Sequence, residues 1–130
     1  MTDISRPRPK TGPVLIIDDE VDLLQTYERV LRRLGYDVIT AELGQTGLAI
    51  AGSRQVSLII VDLRLPDMDG LDVVRAMSAR PDPPPVIVIT GFASAATRRA
   101  ALEAGAIGYL SKPFSVLALI ALVRDILGDL

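Results

Sequence analysis

Four short apolar runs in this sequence end in polar side chains. Asp18 and Asp19 follow Val14–Ile17, Asp62 follows Leu58–Val61, Thr90 follows Val86–Ile89, and Lys112, with Ser111, follows Ala106–Leu110. Three carboxylates, a hydroxyl and an ammonium form a set with a definite chemistry. Oxygen ligands suit a hard divalent cation such as Mg2+, and a lysine complements the charge of a phosphoryl group. Carboxylates about 4 Å apart repel by roughly 4 kcal/mol per pair at an effective dielectric near 20, so three together need more counter-charge than one lysine supplies. Taken singly, each acid has a plainer explanation as a helix cap, favoured by the dipole and the unpaired first-turn amides. Capping, however, does not require acids after two separate strands with a Thr and a Lys ending two more.

The elements that must position these groups are legible from hydrophobic patterning. The runs at Val14–Ile17, Leu58–Val61, Val86–Ile89 and Ala106–Leu110 are short, apolar and mostly rich in branched residues, as strands covered on both faces are; Tyr36–Ala41 reads as a less apolar edge strand. Val21, Leu24, Tyr27, Leu31 and Leu34 recur at helical spacing, which predicts a first helix over Glu20–Leu34, stopped by Gly35. Further helices are expected over Gly44–Ser53, Leu71–Ala79, Ala93–Ala104 and Ser115–Leu127, the last capped by Ser115 and stopped at Gly128. The proline-rich Arg80–Pro85 stretch cannot be helix, and Leu63–Gly70 is a loop by its Pro66, Asp67, Asp69 and Gly70. Strand and helix thus alternate through five pairs. The expected fold is α/β: a five-stranded parallel sheet of order 2-1-3-4-5 with helices on both faces, doubly wound and flavodoxin-like. Its switch point lies between strands 1 and 3, the two that carry Asp18, Asp19 and Asp62.

Composition narrows the function. The chain of 130 residues fits one domain, read here as residues 13–130 behind a flexible arm over residues 1–12. Its 14 Lys and Arg against 16 Asp and Glu leave a net charge of −2, which gives no field for direct nucleic-acid or anionic-membrane binding. Cys and His are both absent, so thiol and imidazole nucleophiles, histidine general bases and disulfides are excluded. Any nucleophile is a carboxylate, hydroxyl or amine. Neither a signal peptide nor an apolar span of bilayer length is present, and the expected location is cytoplasmic.

From about Pro13 to Leu127 the chain resembles a response regulator receiver domain of bacterial two-component signalling. Asp18-Asp19 is similar to the family's acidic pair, which implies that Asp19 binds Mg2+ directly and Asp18 acts mainly through water. Asp62 matches the phosphoacceptor. The run Asp62-Leu63-Arg64-Leu65-Pro66-Asp67-Met68-Asp69-Gly70 resembles the acceptor loop, in which the Arg64 backbone carbonyl is a further metal ligand and Pro66 and Gly70 shape the turn. Thr90 matches the hydroxyl that meets the phosphoryl group, Tyr109 the switch aromatic coupled to it, and Lys112-Pro113 the Lys-Pro step. Gly91, where Ala is frequent, and Arg64, where a smaller or polar side chain is common, depart from the usual pattern.

The resemblance implies a phosphoacceptor switch rather than a turnover enzyme. Asp62 takes a phosphoryl group from a phosphohistidine on a histidine kinase or histidine phosphotransfer protein, with Mg2+, and later loses it slowly to water. Because the chain has no His, the donor is external. The partner-binding face is expected around helix 4, strand 5 and helix 5. Helix 5 has too many apolar positions for one buried stripe, so part of it is available for a homodimer or a downstream protein. Two rivals stand against this reading: an Mg2+-dependent phosphohydrolase, for which the chain lacks room for a cap, and a receiver-like scaffold that works without phosphorylation.

Overall fold

The branched apolar runs do form strands. In the computed structural model, which describes residues 12–128, they are β1 (Val14–Ile17), β2 (Val38–Ala41), β3 (Leu58–Asp62), β4 (Val86–Thr90) and β5 (Gly108–Ser111). They alternate with α1 (Val21–Arg33), α2 (Gly44–Ser53), α3 (Gly70–Ser78), α4 (Ala95–Ala104) and α5 (Val116–Leu127). The strands pair in parallel in the order β2-β1-β3-β4-β5. Most of the expected arm, residues 1–11, lies outside the described residues.

The two-residue period of the strands sorts the core into two layers. Ile17, Val61 and Val88 face α2, α3 and α4, where Ala51, Val74 and Ala101 are buried; Ile16, Ile60 and Ile89 face α1 and α5, where Leu31, Leu119 and Val123 are buried. Each such Val, Leu or Ile contributes about 1.5–3 kcal/mol relative to exposure. The register sets Ile17 beside Val61, Asp62 beside Ile89 and Thr90 beside Ser111, which brings the ends of β1, β3, β4 and β5 to one edge.

Several boundaries move from their expected places, each because a backbone group is spent elsewhere. Strand β5 starts at Gly108 rather than Ala106, because the Ala106 amide closes α4 by donating to the Ala101 carbonyl at 3.0 Å. Strand β2 starts at Val38 rather than Tyr36, whose amide finishes α1 on the Leu31 carbonyl at 3.1 Å. The Tyr36 hydroxyl donates to the Gly128 carbonyl at 3.2 Å and pins the end of α5. Helix α4 begins at Ala95, behind a Ser94–Thr97 capping box. No helix among the described residues is long and apolar enough to cross a membrane.

Candidate functional site

At the carboxyl edge of the sheet, Lys112 is the hub. It reaches from the turn after β5 and its Nζ donates to Asp62 Oδ2 at 2.7 Å, Asp18 Oδ2 at 2.9 Å and Glu20 Oε1 at 2.6 Å. An ammonium has three hydrogens, so all are engaged. The two aspartates use their other oxygens on backbone amides: Asp62 Oδ1 accepts from Arg64 at 2.9 Å, and Asp18 Oδ1 from Glu20 at 3.0 Å. Asp18 and Asp62 are buried and Glu20 is exposed. The three acids carry oxygens within 4.8 Å of one another, against one ammonium.

Burial and hydrogen bonding pull against each other at both Asp18 and Lys112. Loss of solvent pushes the Asp18 carboxyl above its ordinary value, against the opposing pull of the Glu20 amide and of Lys112. Desolvation also works to lower the Lys112 ammonium, but its bonds to Asp62, Glu20 and Asp18 outweigh that and hold it above the usual lysine value. The hub is therefore a fixed positive charge inside an acidic pocket that still has negative charge to spare. Such an oxygen-only donor set fits a hard divalent cation.

Thr90, at the end of β4, is 1% exposed. Its Oγ1 accepts from the Phe92 amide at 3.0 Å, and no acceptor for its own hydrogen is found among the described residues. Tyr109 is half-buried on β5, on the sheet face it shares with Val88, and its hydroxyl lies 2.8 Å from Thr97 Oγ1. The Lys112-Pro113 peptide is cis. Phe114 follows and stacks on Tyr27 of α1 with centroids 5.6 Å apart.

The loop after β3 is built around backbone contacts. The Gly70 amide donates to the Leu63 carbonyl at 2.8 Å, and a Cβ on Gly70 would collide with the Asp62 carbonyl oxygen. Asp69 caps α3 by accepting from the Leu71 amide at 2.9 Å. Pro66 is exposed at the tip. The Arg64 guanidinium lies 3.6 Å over the Phe92 ring and so links the loops after β3 and β4.

The expected residues Asp18, Asp62 and Lys112 are thus in direct contact, and Thr90 sits on the next strand. Asp19 is exposed and lines a neighbouring concavity of about 690 Å3 with Ala41, Leu43 and Pro66, outside the three-acid group. The N-cap residue of α1 is Glu20, whose side chain makes no cap bond, and Asp18 accepts from the Glu20 amide just ahead of the helix while its other oxygen goes to Lys112, so capping does not account for Asp18 by itself. Glu20 was not among the expected site residues, because it reads as the first residue of a helix. The available signal was a third successive acid before a helix without a Ser, Thr or Asn cap. Asp67 was missed as well: its two oxygens accept from the Gly44 and Gln45 amides at 2.8 and 2.9 Å and cap α2, whose own N-cap residue, Leu43, cannot. These bonds hold the Asp67 carboxyl below its ordinary value.

Comparison with known proteins agrees with this geometry. The chain is 39% identical over 126 residues to the transcriptional regulatory protein PrrA of Mycobacterium tuberculosis, covering 97% of this chain and 52% of that protein. It therefore spans about half the length of the curated relatives it matches first. Among solved structures, a CheY-like response regulator receiver domain protein from Methanospirillum hungatei superposes with a TM-score of 0.83 at 32% identity, covering 89% of this chain and 93% of that one. A response regulator from Burkholderia pseudomallei, solved with a phosphorylated aspartic acid, a calcium ion and citrate, gives a TM-score of 0.78 at 36% identity over 85% of this chain and 65% of its own. The sequence profile of the response regulator receiver domain matches residues 14–124. With the five-stranded order, the acidic edge and this match all in agreement, the chain belongs to the response regulator receiver domain family of two-component signalling.

Proposed function

We propose that Asp62 is a phosphoacceptor. A carboxylate oxygen of Asp62 attacks the phosphorus of a phosphohistidine on a histidine kinase or histidine phosphotransfer protein. The new O–P bond forms as the P–N bond breaks, and the imidazole leaves on the partner. Lys112 neutralises charge on the transferring oxygens, and the free hydrogen of Thr90 is donated to one of them. The residues that would hold Mg2+ are Asp18, Asp19, Asp62 and the Arg64 carbonyl, with Glu20 at the rim. When bound, the ion supplies further positive charge to the phosphoryl oxygens. In-line attack by water later cleaves the O–P bond and restores the carboxylate. The Arg64–Phe92 pair, which links the loops that follow Asp62 and Thr90, tunes its rate.

Output runs through the face formed by α4, β5 and α5, where Leu102, Ile107 and Leu117 are exposed. Its partner is a second copy or a downstream protein rather than nucleic acid. The observation that carries the proposal is the convergence of buried Asp62 and Asp18 on one ammonium, beside a buried hydroxyl whose hydrogen meets no acceptor among the described residues. The related Burkholderia structure with its phosphorylated aspartic acid supports the same chemistry. Intact-mass measurement after acetyl phosphate and Mg2+ is the test. One phosphoryl increment is expected, absent without the divalent cation and absent in Asp62→Ala; undiminished labelling of the variant would refute the assignment.

A further inference from the structure

Tyr109 is tied to a residue that the phosphoryl chemistry does not use. Its Oη lies 2.8 Å from Thr97 Oγ1 on α4, and Thr97 is also half of the capping box that starts that helix. The Ser94 amide donates to Thr97 Oγ1 at 2.9 Å, and the Thr97 amide donates back to Ser94 Oγ at 3.0 Å. Thr97 Oγ1 also lies 3.1 Å from the Ser94 carbonyl, which can only accept. A threonine hydroxyl has one hydrogen and two lone pairs. The same oxygen also lies 3.2 Å from Ser94 Oγ, so Tyr109 bonds to a hydroxyl already engaged by the cap, and either member of the Tyr109–Thr97 pair can donate.

From this arrangement we infer that Thr97 is a latch that holds the Tyr109 hydroxyl at the start of α4 and opposes its activation. The inference rests on the phosphoacceptor reading and on the switch role expected of Thr90 and Tyr109. Val88 pairs with Tyr109, and Thr90, two residues beyond Val88, lies on the same face of the sheet. A ring that turns toward Thr90 carries its hydroxyl away from α4. Thr97 cannot follow, because its oxygen is fixed by the cap; moving it would expose the Ser94 amide and unmake the first turn of α4. The latch therefore favours one ring position, and phosphorylation must overcome it. It also joins the switch residue to the N-terminus of the helix beside it, so a change at the start of α4 that moves Thr97 releases Tyr109.

Titration of the full chain with beryllofluoride and Mg2+, a stable mimic of the phosphoryl group, tests the latch. Tyr109→Phe keeps the ring and the α4 cap but loses the bond; Thr97→Val loses the bond and the cap; Thr97→Ser keeps the hydroxyl. Loss of one such bond is expected to tighten binding roughly threefold to tenfold in both Tyr109→Phe and Thr97→Val, with Thr97→Ser at the wild-type value. The double variant should bind no tighter than the single ones, since both remove the same bond. Unchanged affinity in Tyr109→Phe, or additive effects in the double variant, would overturn the latch while leaving the phosphoacceptor intact. Absence of Asp62-dependent binding in every chain would overturn both.

Discussion

The loops that leave β3 and β4 stand side by side at the site and begin alike, with the Arg64 amide on Asp62 and the Phe92 amide on Thr90, but differ in how far the rest is tied down. After β3, Arg64 bonds back to Asp62, Gly70 closes on Leu63, Asp69 caps α3 and Asp67 reaches across to cap α2. After β4, Gly91, Phe92 and Ala93 are all exposed, a Cβ on Gly91 would meet nothing within 4 Å, and Phe92 is 59% exposed beneath the Arg64 guanidinium. One loop is tied down on both sides of the Asp62 carboxylate; the other holds the buried Thr90 hydroxyl through the Phe92 amide and is exposed beyond it. Pre-organisation is useful where bonds form, because each ångström of misplacement slows transfer. Slack is useful where a residue must respond to the product.

Four changes probe that contrast, beginning with the largest. Lys112→Ala leaves Asp18, Glu20 and Asp62 facing one another without a cation. Urea unfolding at neutral pH should reveal a loss of about 3 kcal/mol, the scale for stranding buried charge, partly restored by Mg2+. Gly70→Ala forces a methyl against the Asp62 carbonyl oxygen and should cost about 1–3 kcal/mol while slowing phosphoryl transfer. The equivalent change in the other loop has the opposite sign: Gly91→Ala meets open space, does not need a positive φ, and should stabilise by about 0.4–1 kcal/mol. Equal losses at the two glycines would erase the distinction between the loops.

The smallest effect is pH-dependent. Because the Gln45 and Gly44 amides hold the folded Asp67 carboxyl below the ordinary aspartate value, its clamp on α2 contributes fully above that value and is lost as pH falls through the lowered one. Thermal melts should find Asp67→Ala less stable than wild type at neutral pH, with the gap closing in acid. A gap that persists after both chains are fully protonated would assign the effect to something other than the charge.

Where the sequence was readable, the cause was local. The apolar runs gave the strands, and their polar terminators gave Asp18, Asp62, Thr90 and Lys112 at one edge, because parallel register fixes where strand ends fall. The trimmed ends of β2 and β5 escaped because Tyr36 and Ala106 spend their amides on the preceding helices, a choice that apolar patterning does not encode. Asp67 escaped for a different reason: its partners lie more than 20 residues away, although Leu43 before α2 left a helix end in want of an acceptor. The Thr97–Tyr109 bond likewise joins an α4 cap to β5, and only the packed fold brings them together.

The central claim is that Asp62 itself bears the phosphoryl group. Borohydride reduction of the chain after acetyl phosphate and Mg2+, followed by peptide mapping, addresses it directly, since an aspartyl phosphate is converted to homoserine where it stood. The account predicts homoserine at position 62 and nowhere else. Homoserine at Asp18 or Asp19, or phosphate on Thr90 with Asp62 unchanged, would contradict it.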